Sequence, residues 1–140
     1  MSETFCLHNA TLLTGFSVME KCAVYIKNRK IADVFKEERL NQKQFSPDTK
    51  IIDVNNAYIS PGFIDTHIHG IGGYGTDDQN SNSILKMSEI LLEYGVTSFI
   101  PTLYAAKEEK LINDIRAIVT AMGKETGAKI LGIHLEGPFI

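Results

Sequence analysis

A chain of 140 residues is long enough for an ordinary domain with a core, and its 44% hydrophobic and 22% charged residues exclude a disordered protein. The formal net charge of -3, without a block of lysine and arginine, argues against a nucleic-acid surface. The polar N-terminus lacks the layout of a signal peptide, and no apolar run reaches membrane-spanning length. We therefore expect a cytoplasmic protein with no membrane or nucleic-acid partner.

Short strands are predicted along residues 1–57, which we interpret as one domain. The apolar runs that favour strands are 5–7, 11–13, 23–26, 30–35 and 50–54. Residues 27–29 are polar and lie between two of these runs, which predicts a hairpin. The polar segment 37–48 is predicted to be a solvated loop.

From Tyr58 the pattern changes to alternating strands and helices, so residues 58–140 form a second predicted domain. Strands are predicted at 59–69, 96–100 (ended by Pro101) and 129–136, with a flexible loop at 70–75. The first helix is predicted to have Ser81 or Asn82 as its N-cap, to end at Gly95, and to pack through Ile84, Met87, Leu91 and Tyr94. The second is marked by Leu111, Ile115, Ile118 and Met122 and ends near Gly123 or Gly127.

This order of elements predicts the α/β class, with a parallel sheet. An eight-stranded βα barrel needs roughly 250 residues. If the second domain begins such a barrel, we expect the chain to be incomplete and to stop less than halfway round it.

Two histidines, His67 and His69, close the first strand of the second domain. Alternate residues of a strand share a face, so both imidazoles are expected to point the same way. Converging imidazoles can hold a divalent metal, and active sites of βα barrels gather where the strands end. The alternative is that both histidines are incidental and are satisfied by hydrogen bonds.

Three further residues lie on strand faces that point toward the same place. Glu136 ends the third strand and is a candidate metal ligand, unless it is a solvated carboxylate that enters a loop. His134 lies one layer deeper on that face and is expected to support the site or to pack, rather than to ligate. Asp65 lies one layer below His67 and is expected to orient a ligand histidine.

The glycine-rich segment 70–75 could suggest a phosphate-binding loop. Its spacing fits neither a Walker A loop nor a dinucleotide fingerprint. We interpret it as a loop in which the backbone approaches the metal site closely.

With its β-rich beginning and the segment Pro61-Gly62-Phe63-Ile64-Asp65-Thr66-His67-Ile68-His69-Gly70, the chain resembles the amidohydrolase superfamily. Residues 69–78, 95–102 and 132–140 resemble, more narrowly, the N-acetylglucosamine-6-phosphate deacetylases. The resemblance implies the start of a (β/α)8 metal-dependent hydrolase barrel, preceded by part of a small β-sandwich.

The resemblance also implies an activity and a site. The complete protein would release acetate from N-acetylglucosamine 6-phosphate, an amino-sugar phosphate, and would act as a homodimer. Glu136 would be the principal ligand of a divalent metal (Zn, Fe, Mn or Co), and His67 and His69 would be additional ligands. No catalytic residue is expected within this chain, since those residues would lie beyond Ile140, so the fragment alone is expected to be inactive. The alternatives are another amide-hydrolysing amidohydrolase, such as a dihydroorotase-like protein, and a non-catalytic metal-binding or assembly module.

Overall fold

A computed structural model describes residues 4–137, so the last three residues of the 132–140 motif lie outside the described part. The chain divides into two compact units, one ending at Pro61 and the other beginning at Gly62. The sequence pattern predicts this boundary before Tyr58. The difference arises because residues 58–59 pair with the first strand of the chain. Within residues 4–137, no helix combines the length and the apolar character that crossing a bilayer requires.

The first unit is built on a five-stranded sheet. Its strands are β1 (Phe5–Leu13), β2 (Val18–Lys27), β3 (Lys30–Lys36), β4 (Lys50–Asp53) and β5 (Tyr58–Ile59). The order is β3-β2-β1-β4, with β5 also paired to β1. β1 is antiparallel to β2 and parallel to β4 and β5. The strand-rich character of this segment is therefore confirmed.

Residues with positive φ angles occur at two places in this sheet. At one place they agree with the predicted hairpin, and at the other they explain why two predicted strands are one. The predicted hairpin between β2 and β3 is present, and Asn28 and Arg29 both adopt positive φ angles, as a tight primed turn requires. The two short strands predicted at 5–7 and 11–13 are one strand, because Asn9 takes a positive φ of 57° within an irregular register instead of ending the pairing. The loop predicted at 37–48 begins with a 3₁₀ turn over Glu37–Gln42.

The second unit contains a parallel sheet with β9 (Val96–Tyr104) at its centre. The other strands are β6 (Phe63–Ile68), the short pair β7 (Gly70–Ile71) and β8 (Tyr74–Gly75), β10 (Lys129–Ile130) and β11 (His134–Glu136). Ser98 of β9 pairs with Ile64 of β6 and with Lys129 of β10, so these two strands flank β9. β11 pairs with β9 further along, again in parallel.

Helices α1 (Ser81–Leu91) and α2 (Glu108–Ala121) connect these strands and cover the core. Asn80 caps α1, since its side chain accepts a hydrogen bond from the N–H of Asn82 at 2.9 Å, one residue before the earlier of the two predicted N-caps. The buried residues form one cluster across α1, β9, α2 and the segment that leads into β10: Ile84, Met87, Leu91, Phe99, Leu103, Ile118, Ala121, Ala128 and Ile130. The α/β class is confirmed.

Several details of the second unit were predicted wrongly. The strand predicted at 59–69 is two strands that pair in different sheets, because Pro61-Gly62 interrupts it. β9 continues through Pro101 to Tyr104, since a proline removes one N–H donor and leaves its carbonyl available. Tyr94 is exposed, because the α-helix gives way to a 3₁₀ turn over Leu92–Tyr94 before Gly95. The third strand is split into β10 and β11.

Candidate metal centre

The two histidines at the end of β6 lie on the same side of the strand. Their Nε2 atoms are 3.2 Å apart, and their rings meet edge to face. β6 ends at Ile68, so His67 belongs to the strand and His69 follows it directly. Alternation along an extended backbone explains why residues 67 and 69 face together.

Glu136 reaches the same point from β11, the last strand of the parallel sheet. Its Oε2 atom lies 3.2 Å from Nε2 of His69 and 3.8 Å from Nε2 of His67. The ligand atoms of all three residues lie within 4.8 Å of one another. Because β6 and β11 both run parallel to β9, their carboxyl ends open at one edge of the sheet, and this parallel pairing brings residues 67 and 136 together.

The chemistry of this donor set fits a divalent cation. Two imidazole nitrogens and a carboxylate are ligands that Zn, Fe, Mn and Co accept. Two neutral imidazoles whose Nε2 atoms are 3.2 Å apart can hydrogen-bond to each other only if one ring carries its proton on Nε2 and the other does not. A cation can instead accept both nitrogens and Glu136 as ligands. The side chains of His67 and Glu136 are 49% and 37% exposed, so an ion can reach the cluster from solvent.

Asp65 and His134 lie next to the cluster but outside it. Oδ1 of Asp65 accepts a hydrogen bond from the main-chain N–H of His67 at 3.0 Å, so it contacts the backbone of that histidine and not its ring. Nδ1 of His134 is 3.2 Å from the hydroxyl of Thr102, and its ring meets that of His67 edge to face at 5.0 Å. The structure thus joins His134 to the cluster through packing on His67.

Tyr104 is a neighbour of the cluster that sequence reasoning missed. Its ring stacks on His69, with centroids 3.7 Å apart and planes inclined by 3°. Nδ1 of His69 is buried and has no hydrogen-bond partner within residues 4–137, so on that side of the ring the stacked Tyr104 is the contact that orients it. Tyr104 was missed because the strand was predicted to end at Pro101, three residues before it. If the strand is continued past Pro101, Tyr104 lies at its carboxyl end, which is the edge of the sheet where His69 lies.

Comparison with known proteins shows which family the chain belongs to. Residues 58–140 match the model of the amidohydrolase family. The chain belongs to the amidohydrolase family, whose members generally depend on divalent metals.

Within that family, the chain is similar to the N-terminal part of N-acetylglucosamine-6-phosphate deacetylases. It is 31% identical to the one from Haemophilus influenzae, over 97% of this chain and 34% of that protein. It is 33% identical to the one from Bacillus subtilis, over 100% of this chain and 35% of that protein. The chain therefore spans about a third of the length of these curated relatives.

Solved structures give the same result. The crystal structure of N-acetylglucosamine-6-phosphate deacetylase from Pasteurella multocida has a TM-score of 0.83 at 24% identity, over 98% of this chain and 35% of that one, which shows the fold. The deacetylase from Thermotoga maritima has a TM-score of 0.74 at 26% identity, over 96% of this chain and 32% of that one. A D-hydantoinase has a TM-score of 0.61 at 25% identity, over 96% of this chain and 27% of that one.

Proposed function

We propose that this chain is the N-terminal part of a metal-dependent deacetylase that hydrolyses N-acetylglucosamine 6-phosphate to glucosamine 6-phosphate and acetate. The observation that carries the proposal is the convergence of His67, His69 and Glu136 within 4.8 Å at the carboxyl ends of parallel strands. The curated relatives with this activity in their names match nearly the whole chain, which supports the choice of substrate.

The proposed architecture follows from the same comparison. In the complete protein, β6, β9 and the β10–β11 pair would be the first strands of a (β/α)8 barrel, and the sheet of the first unit would contribute to a β-sandwich. Active sites of such barrels lie at the carboxyl ends of the strands, which is where the cluster lies. We also propose that the complete protein is a cytoplasmic homodimer.

Each residue of the site has a proposed role. Glu136 is the principal ligand, because it supplies the negative charge of the cluster, and His67 and His69 are additional ligands. When bound, a divalent cation would polarise the acetamide carbonyl and lower the pKa of water. Asp65 fixes the main chain of His67, and His134 packs against the ring of that histidine. The residues that exchange protons with the substrate and hold its phosphate are proposed to lie beyond Ile140.

A second candidate is another amide-hydrolysing amidohydrolase, of the hydantoinase or dihydroorotase type. The similarity to a D-hydantoinase favours it, although the TM-score of 0.61 is lower than the 0.74 of the Thermotoga maritima deacetylase. A non-catalytic metal-binding module is a third possibility, which an assay for turnover addresses.

The test uses the complete natural polypeptide that carries this sequence. Acetate release is measured with N-acetylglucosamine 6-phosphate, and with unphosphorylated N-acetylglucosamine as the control for phosphate recognition. Ring opening is measured separately with hydantoin and dihydroorotate, the rival substrates, which release no acetate. The enzyme is stripped with a chelator and restored separately with Zn²⁺, Fe²⁺, Mn²⁺ and Co²⁺. We expect metal-dependent turnover of the phosphorylated sugar. Turnover of a cyclic amide alone would favour the second candidate, and metal binding without any turnover would favour the third.

A further inference from the structure

The glycine-rich segment after His69 forms a tight hairpin in place of the predicted flexible loop. β7 and β8 pair antiparallel, with Gly70 opposite Gly75 and Ile71 opposite Tyr74. Gly72 and Gly73 form the turn with φ angles of 61° and 83°, which glycine adopts at little cost. The hairpin reverses the chain within a few residues and returns it to His69.

Thr76 is the residue that the hairpin brings back. Its main-chain N–H donates to the carbonyl of His69 at 2.8 Å, and its hydroxyl lies 3.1 Å from the same carbonyl. The hydroxyl also lies 2.7 Å from the carbonyl of Thr102 in β9, which is the shorter of its two contacts. Thr76 is only 1% exposed, so water does not compete for these bonds.

These bonds connect His69 to the central strand at the level of the cluster. Thr102 is fully buried, and its own hydroxyl contacts His134, which packs on His67. Thr76 thus holds the carbonyl of His69 through its main-chain N–H, at 2.8 Å, and the carbonyl of Thr102 through its hydroxyl, at 2.7 Å. The ring of His69 has no hydrogen bond at Nδ1, so its placement depends on its main chain, on stacking with Tyr104 and on the contacts of its Nε2 atom with His67 and Glu136.

The segment that carries Thr76 is itself anchored to both helices. Oδ2 of Asp78 accepts a hydrogen bond from the N–H of Gly75 at 2.9 Å, and the carboxyl of Asp78 also interacts with the hydroxyl of Ser83 in α1. Nζ of Lys110 in α2 donates to the carbonyl of Asp77 at 3.1 Å. A threonine held at both ends in this way can restrain the histidine that it contacts.

We propose that Thr76 is a positioning residue that holds the main chain of His69 against β9 and thereby aims its imidazole at His67 and Glu136. The glycine-rich segment is, on this account, the hairpin that places Thr76 and not a binding loop. The consequence for metal affinity rests on the proposed function, whereas the restraint on His69 does not.

The test compares Thr76→Val, which removes the hydroxyl at nearly constant shape, with Thr76→Ser, which keeps it. Thr120→Val is the matched control, because the hydroxyl of Thr120 also donates to a carbonyl at 2.7 Å, but on the exposed surface of α2. The first readout is the nuclear magnetic resonance spectrum of the His69 ring protons without metal, which the stacked ring of Tyr104 shifts upfield. The second is the dissociation constant for Co²⁺, measured on the complete polypeptide that carries this sequence.

We expect Thr76→Val to move the His69 ring resonances toward those of a free imidazole, and Thr76→Ser and Thr120→Val to leave them unchanged. Affinity for Co²⁺ should fall roughly 10-fold or more in Thr76→Val, the loss typical of residues that orient a ligand. Unchanged His69 resonances in Thr76→Val would overturn the proposal.

Two further outcomes keep the proposal separate from folding and from the proposed function. If Thr76→Val does not fold, hydrogen exchange of the Thr76 amide in the unsubstituted chain decides the matter: strong protection supports the restraint, and rapid exchange overturns it. If the complete unsubstituted polypeptide binds no Co²⁺, the metal centre is contradicted, while the His69 resonances still decide the role of Thr76.

Discussion

Replacing Gly127 by alanine should destabilise the second unit strongly, because there is no room for a methyl group. A Cβ at this position would lie 2.1 Å from the carbonyl oxygen of Ser88 and 2.7 Å from the backbone nitrogen of Glu89, both in α1. A helix backbone cannot rotate away as a side chain does, so α1 and the 127–128 segment must separate.

The separation would strain two buried hydrogen bonds that join the same elements. The N–H of Ala128 donates to the carbonyl of Ser88 at 2.8 Å, and the hydroxyl of Ser88 donates to the carbonyl of Ala128 at 2.8 Å. Overpacking costs about 1–3 kcal/mol and each of the two weakened bonds about 0.5–1 kcal/mol, so the free energy of unfolding should fall by about 2–5 kcal/mol.

The measurement is urea unfolding followed by circular dichroism, together with hydrogen exchange of the Ala128 amide. A loss of about 2 kcal/mol or more would lower the protection of that amide by a factor of roughly 30. Gly132→Ala is the matched control, since a Cβ there would meet nothing within 4 Å, and we expect a change within about 0.5 kcal/mol. If Gly127→Ala is as stable as Gly132→Ala, the steric reasoning is wrong.

The remaining predictions concern the metal centre and pH. In the complete enzyme with saturating metal, Glu136→Gln should lower kcat for acetate release by several orders of magnitude, His67→Gln by less, and the exposed control Glu93→Gln not at all; near-normal turnover of Glu136→Gln would contradict its role. The 140-residue chain itself should retain little metal after dialysis, because it offers three ligands, and stoichiometric metal would argue against this. The hydrogen bond from the N–H of Gly75 holds the pKa of Asp78 in the folded protein below its ordinary value of 3.8. The resulting stabilisation is complete above pH 3.8 and is lost as the pH falls through the pKa of the folded state. In unfolding experiments at a series of pH values, Asp78→Asn should reduce the fall in stability at acid pH.

Most elements of the second unit could be predicted because their signals are local. Ile84, Met87 and Leu91 follow the helical period and are all buried, and Gly95 ends the helical segment with a positive φ. His67 and His69 share a side because alternation in a strand needs no information from elsewhere in the chain. The errors lie at the boundaries of elements. At Pro101, for example, the expectation that a proline ends a strand is wrong, because β6 and β11 continue to pair with β9 there and beyond.

The candidate site was only partly predictable for the same reason. Glu136 could be placed beside the histidines, since parallel strands with helical connections bring their carboxyl ends to one edge of a sheet. The stacking of Tyr104 on His69 and the hydrogen bonds of Thr76 could not be predicted. The stacking depends on the exact length of β9, which carries Tyr104, and the hydrogen bond from Thr76 to Thr102 depends on the turn at Gly72-Gly73.

By itself, then, the sequence determined the period of each element, the glycines of the turns and the donor types available for a metal. Only the tertiary structure decided which of these groups touch. The contact between Thr76 and Thr102 spans 26 positions of the chain, and the pair His69 and Glu136 spans still more. Local patterns are set by neighbours within one turn or one pleat, whereas such contacts exist only after β6, β9 and β11 have paired in register and the buried cluster beneath them has closed.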